Sequence, residues 1–283
     1  RRRRLVNRLK AALGLLRNRN FILLLAIALG MLIGPAAGWT AGLTLPALAL
    51  VMTAAASQVP SHTLLPPQRL LRPTALALLL SYGLAGGITL LFARLLTPEP
   101  DLWAGFVLVA VAPPGVAVLP FAGILGGDAT LALLGTVGAY LAALLIAPAL
   151  SLLLVGPALV QPVRLLVILL ELVAAPLVVS RLLRRPRIYP YVDRWRGTIV
   201  NWGFFVITFA VVAVNGDFLL SEPRILLFTA IVSLAGVFGA GILAELALRR
   251  LGTGRAERIS LSLFAAVKNS GFSAATALAL VSL

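Results

Sequence analysis

The sequence predicts an all-α polytopic membrane protein, and three observations carry that prediction. Hydrophobic residues make up 60% of the 283 residues and charged residues only 12%, and the mean hydropathy of +1.04 lies far above that of soluble globular domains. Runs of roughly 20 apolar residues, enough to cross a hydrocarbon layer of about 30 Å, recur along the chain. Basic residues outnumber acidic ones by 24 to 9 and collect between alternate runs.

Nine spans follow from the apolar runs. A basic N-terminal segment at residues 1–20 precedes spans at 21–37, 41–57, 73–93, 101–124 and 129–155; after a short connection come spans at 163–182, 198–214, 224–248 and 259–283. With the N-terminus in the cytoplasm, the inner side receives Arg1 to Arg4, Arg8, Lys10, Arg17, Arg19, Arg69, Arg72 and the arginines of 181–196 and 249–258. That places 20 of the 24 basic residues inside, leaving Arg94, Arg164 and Arg224 outside and Lys268 within the bilayer. The net charge of +15 is therefore a topology signal, and no basic stripe with interleaved aromatics is left for a nucleic acid. The first span is followed by too many others to be a cleaved signal peptide.

Composition also narrows the chemistry. There is no cysteine, which excludes disulfides, thiolate metal ligands and a cysteine nucleophile, and the single histidine, His62, lies in a Pro-rich connection. No enzyme activity, cofactor or bound metal is expected.

Two spans are interrupted. In "LVAVAPPGVAVLPF" the residues Pro113, Pro114 and Gly115 remove two backbone donors in mid-run and push the preceding residues out of helical geometry. In "AAVKNSGFSA" the poor helix formers Asn269, Ser270 and Gly271 make a softer break. Unwound backbone persists in a membrane only where protein or a wet cavity satisfies it, so both breaks are expected to face a cavity. They occupy the fourth place in two sets of five spans, about 155 residues apart. An odd repeat starts its second copy from the other side of the membrane. The expectation is inverted five-helix repeats, 21–155 and 163–283, with helices 4 and 9 broken and crossing. The second set lacks its fifth span, so a tenth helix is expected to be missing, as in a fragment.

Lys268 is the chain's only lysine besides Lys10. Ten residues of helix beyond Arg258 place it about 15 Å deep, beyond the roughly 6 Å reach of a lysine stem to the interface. A charge there costs about 2.5–3.5 kcal/mol on insertion scales, which makes a functional role the default reading, with a structural pair or a neutral lysine that merely caps the unwound segment as the alternatives. Glu171, mid-span in the sixth run, is read as a counter-ion, a gating group or a residue facing a wet crevice. Glu245 is expected to pair with Arg249 one turn on, Asp128 to cap helix five, and Asn201 and Trp202 to open the seventh span at the interface.

These residues carry a resemblance. "APPGVAVLPFAGILGGDATLALLGT" and "ERISLSLFAAVKNSGFSAATALAL" resemble the fourth-to-fifth and ninth helices of the bile acid:sodium symporter family, and the likeness spans helices one to nine. It implies a panel domain of helices 1, 2, 6 and 7, a core domain of helices 3, 4, 5, 8, 9 and 10, and substrate between them at the crossing. It also implies a substrate contact at Asn269; the free amides of the two breaks suit an anionic head group, so substrate contacts are expected at Gly115, Val116, Asn269 and Ser270, and a bacterial plasma (inner) membrane is the expected location. Where sodium-binding members of the family carry polar ligands, this chain has Val118, Leu119, Ala132, Thr136, Phe264 and Lys268, of which only Thr136 keeps a side-chain oxygen.

The combined expectation is a secondary carrier of an organic anion, bile-acid-like or a smaller carboxylate, sodium-independent, with Lys268 standing in for the sodium ion and with Thr136 and Glu171 as further coupling residues. Lysine can exchange a proton where arginine cannot, which leaves proton coupling open. Two other classes compete. A cation/proton antiporter shares broken crossing helices but needs a carboxylate at the crossing, which the ninth span lacks; a non-transporting membrane sensor or degenerate paralogue would keep the fold without the coupling.

Overall fold

The computed structural model describes residues 18–60, 68–97, 99–156 and 162–281, together with Gly14 and Leu16. Residues 1–13, the connection containing His62 and the last two residues lie outside the described residues, so the expected basic segment at 1–20 is represented by only part of its length. Every named element is helical, and an isolated bridge between Pro114 and Lys268 is the one β feature among the described residues. Among the described residues, six helices are long and apolar enough to cross a membrane. This is an all-α polytopic membrane protein.

Helix α1, Arg19–Ile33, starts where Asn18 accepts from the amides of Asn20 and Phe21 and stops at Gly34, whose φ of +57° suits glycine. A 3₁₀ stretch, Gly34–Leu43, leads into α2, Thr44–Ala56. The end of α2 leaves free carbonyls, and Arg181 and Arg184 supply the donors: the first reaches Val59 O at 2.7 Å and Ala56 O at 2.8 Å, the second Ser57 O at 2.7 Å. Helix α3, Gln68–Leu96, contains a π-helical stretch at Leu79–Gly86. The fourth span is two helices, α4 at Pro100–Ala110 and α5 at Val118–Leu125. Helix α6, Ala129–Val155, begins where Asp128 accepts from Leu131 N, the cap expected there. Helix α7, Val163–Leu183, has a π turn at Leu170–Ala174; α8 runs Tyr189–Ser221 and α9 Pro223–Arg250, with a π turn at Ala235–Gly239. The ninth span is again two helices, α10 at Arg255–Ala266 and α11 at Ser270–Val281.

Two packing groups result. Helix α8 lies against α1, the 3₁₀ stretch and α2, while α2 also packs on α7. In the other group α3 packs along α6 and on α9, α9 along α10, and α5 on both α6 and α10. Corresponding elements recur: helices begin at 68, 100 and 118 and again at 223, 255 and 270, and the π turns begin at 79 and 235. Their close approaches recur too. A Cβ on Gly86 would lie 3.1 Å from the carbonyl of Ala110 at the end of α4, and one on Gly241 would lie 2.9 Å from the Cβ of Ala266 at the end of α10.

Three sequence expectations need correcting. Helix α8 is 33 residues long rather than confined to 198–214, because Tyr189–Arg196 is polar yet helical, so Asn201 and Trp202 lie inside the helix and do not open it. Helix α3 likewise starts at Gln68, ahead of Pro73. Glu245 pairs with Arg258 at 2.6 Å and accepts from Ser262 at 3.2 Å, so its partner is on the neighbouring helix and not Arg249.

Candidate functional site at the two helix breaks

The site starts from a shortage of donors. After Ala110 the chain runs Val111, Ala112, Pro113, Pro114, all buried, and neither proline carries an N–H. After Ala266 the residue Val267 turns to extended geometry, with φ −112° and ψ 94°. The two unwound stretches pair antiparallel: Gly115 N donates to Val267 O at 2.7 Å and Asn269 N donates to Pro113 O at 3.1 Å. Each break thus satisfies backbone groups of the other inside an apolar environment. The approach requires glycine at 115, since a Cβ there would lie 3.0 Å from the carbonyl oxygen of Lys268.

Lys268 fills the remaining vacancy at the end of α4. Its Nζ donates to Ala110 O at 2.7 Å and Ala112 O at 2.8 Å and lies 4.9 Å from the centroid of the Tyr82 ring. A cation at the carbonyl end of a helix, over an aromatic face, is favoured by the helix dipole and by the ring quadrupole. Tyr82 comes from the π turn of α3. Asn269 is 3% exposed and fully engaged: its Oδ1 accepts from Phe272 N at 3.1 Å, capping α11, and its Nδ2 donates to Tyr140 Oη at 2.7 Å.

A cavity of about 420 Å³ adjoins the breaks and is lined by Gly115, Val116, Ala117 and Val267 to Gly271, by Phe204, Ile207 and Val211 of α8, and by Arg19 and Leu23 of α1. The residues named from the sequence as substrate contacts, Gly115, Val116, Asn269 and Ser270, therefore line one cavity together with Lys268. Two others lie elsewhere. Thr136 faces a smaller space of about 50 Å³ with Val116, Leu119 and Tyr140, and its hydroxyl is buried without a hydrogen-bond partner. Glu171 is exposed on the π turn of α7, and among the described residues neither it nor Lys268 is in an ion pair. Val118, Ala132 and Phe264 are fully buried in one apolar cluster, where the Phe264 ring packs on Gly135.

Sequence reasoning missed Tyr82, Tyr140, Arg19 and Phe204 as parts of this site. An aromatic residue in an apolar span reads as core or interface, and Arg19 reads as one more inner-side charge. A tyrosine in mid-span was the available signal, because a buried phenol needs a partner.

The family model of the Sodium Bile acid symporter family matches residues 45–221, more than half of the chain. The chain belongs to that family. The match takes in α2 to α8 and includes the first break, whereas the break that carries Lys268 lies beyond it. Membership in the sodium bile acid symporter family makes this a membrane protein of a transporter family, in keeping with a carrier and not an enzyme. Comparison with curated proteins gives no match.

Proposed function

We propose that the protein is a secondary carrier of a small organic anion that works without sodium, with the Lys268 ammonium in place of the ion. The observation that carries this reading is the seat of Nζ, on the carbonyls of Ala110 and Ala112 at the end of α4 and over Tyr82. Oxygen ligands from backbone carbonyls suit a monovalent cation, and here a tethered one uses them. The apolar cluster of Val118, Ala132 and Phe264 supports the same reading, since it offers no oxygen where ligands would be needed.

The anion binds in the cavity beside Gly115, Val116, Asn269 and Ser270, where α5 and α11 begin. Free amides and the dipoles of two helix N-termini favour a negative group there. Asn269 acts by holding the start of α11 through its cap and through Tyr140. Thr136 and Glu171 are secondary coupling residues in this proposal: Thr136 has an unsatisfied hydroxyl beside the breaks, and Glu171 is a carboxylate in the sixth span.

Transport proceeds by movement of a core of α3 to α6 and α9 to α11 against a panel of α1, α2, α7 and α8. The two packing groups support that division for α3, α5, α6, α9 and α10 on one side and for α1, α2, α7 and α8 on the other, and the recurrence of starts and π turns about 155 residues apart supports inverted repeats, 21–155 and 163–283, as its origin. The setting proposed is a bacterial inner membrane with the N-terminus inside. Coupling is to protons or absent.

The test is uptake of candidate organic anions into proteoliposomes under a sodium or a pH gradient, for wild type and Lys268→Gln. Uptake by wild type that ignores the sodium gradient and is lost in Lys268→Gln is expected. Sodium-driven uptake by wild type overturns the proposal.

A further inference from the structure

The cavity at the breaks holds two cationic side chains, Arg19 and Lys268, and no carboxylate among its lining residues. They are not equivalent. Lys268 has its amine on two carbonyls and against the Tyr82 ring, so it contributes a positive field but no donor to a ligand. The Arg19 guanidinium lies 5.7 Å from the Phe204 ring centroid and, among the described residues, has neither an ion pair nor a side-chain hydrogen bond.

Phe204 ties this guanidinium to the break. A Cβ on Gly271 would lie 3.0 Å from Phe204 Cε1, so the ring packs where Gly271 carries no side chain. At that distance the ring attracts the guanidinium as a cation and leaves its N–H groups open, and those N–H groups can grip a carboxylate or phosphate in bidentate fashion. The anion site at the starts of α5 and α11 belongs to one side of the cavity wall, and Arg19 with Phe204 belongs to α1 and α8. The rest of the lining is mostly apolar and includes Leu23, Ile207 and Val211.

We infer that Arg19 is a specificity-determining residue and that the substrate carries two acidic groups joined by an apolar middle, one held at the helix starts and the other by Arg19. This rests on the reading of the cavity as the anion site. A ligand so held bridges the two packing groups, which a monoacid at the helix starts does not do.

The experiment measures binding of straight-chain dicarboxylates, and of monocarboxylates of the same lengths, to the purified full chain by titration calorimetry. Wild type is expected to prefer one diacid over its matched monoacid by roughly tenfold, the worth of one charge-assisted contact. Arg19→Gln should bring that ratio close to one, Arg19→Lys should restore part of it, and Arg94→Gln, which removes a guanidinium 6.0 Å from the Trp103 ring centroid and outside the cavity, should leave it as in wild type. Equal binding of diacid and monoacid by wild type, or a ratio that survives Arg19→Gln, overturns the inference and makes Arg19 an interfacial anchor while the anion site stands. Binding of neither acid overturns the anion site and this inference together.

Discussion

The two breaks solve one problem with opposite chemistry. The first, Ala110 to Ala117, has two prolines and no polar side chain, so it is rich in acceptors and poor in donors. The second, Val267 to Gly271, brings a lysine, an asparagine and a serine and serves as donor to the first: Asn269 N reaches Pro113 O, and Lys268 Nζ reaches Ala110 O and Ala112 O. Elements that recur so closely along the chain differ here and complement one another. The positive charge therefore belongs to the backbone geometry of the partner break as much as to its own helix.

The largest effect is expected from removing the close approach. In Gly115→Val a side chain would meet the carbonyl of Lys268, which is backbone and cannot turn aside. Parting the breaks costs about 3 kcal/mol or more and abolishes transport, measured as a loss of folded yield and thermal stability in detergent. Next comes Lys268→Met, which keeps the stem but leaves Ala110 and Ala112 without a donor. It should destabilise by about 1–3 kcal/mol and eliminate uptake, whereas an unchanged melting temperature would show that the amine does not hold the first break.

The spans and the breaks were legible in the sequence because their signals are local. Two prolines in an apolar run or a lysine far from either interface have few physical readings. Lys268 could be singled out, but its seat could not, since that depends on Ala110 and Ala112, which are distant in the chain. Tyr82 stayed hidden because nothing in "LLSYGLAG" announces a π turn, and the turn helps to set where its ring points. The partner of Glu245 was missed for a related reason: a helical spacing offered Arg249, while the turn between α9 and α10 brings Arg258 nearer. The start of α8 at Tyr189 was invisible because hydropathy marks where a helix is apolar and says nothing of how far it extends beyond.

A smaller effect separates holding from packing in the second break. Tyr140→Phe removes the phenol that accepts from Asn269 and should cost about 1 kcal/mol, with weakened anion binding as α11 loses a support. No change in either would reduce Asn269 to a simple helix cap. The smallest effect, with the opposite sign, belongs to Thr136→Val. Its hydroxyl is buried without a partner, so an apolar isostere should leave stability unchanged or raise it by about 1 kcal/mol. A clear loss of stability or uptake would show that the hydroxyl is used, and would bring Thr136 into the coupling machinery.

The central claim is that a side chain occupies the cation site. Thermal unfolding of the purified protein in sodium chloride against choline chloride, at equal ionic strength, tests it most directly, since an ion that binds only the folded state raises stability as its concentration passes its Kd. One melting temperature in both salts is expected for wild type. A saturable rise with sodium would contradict it.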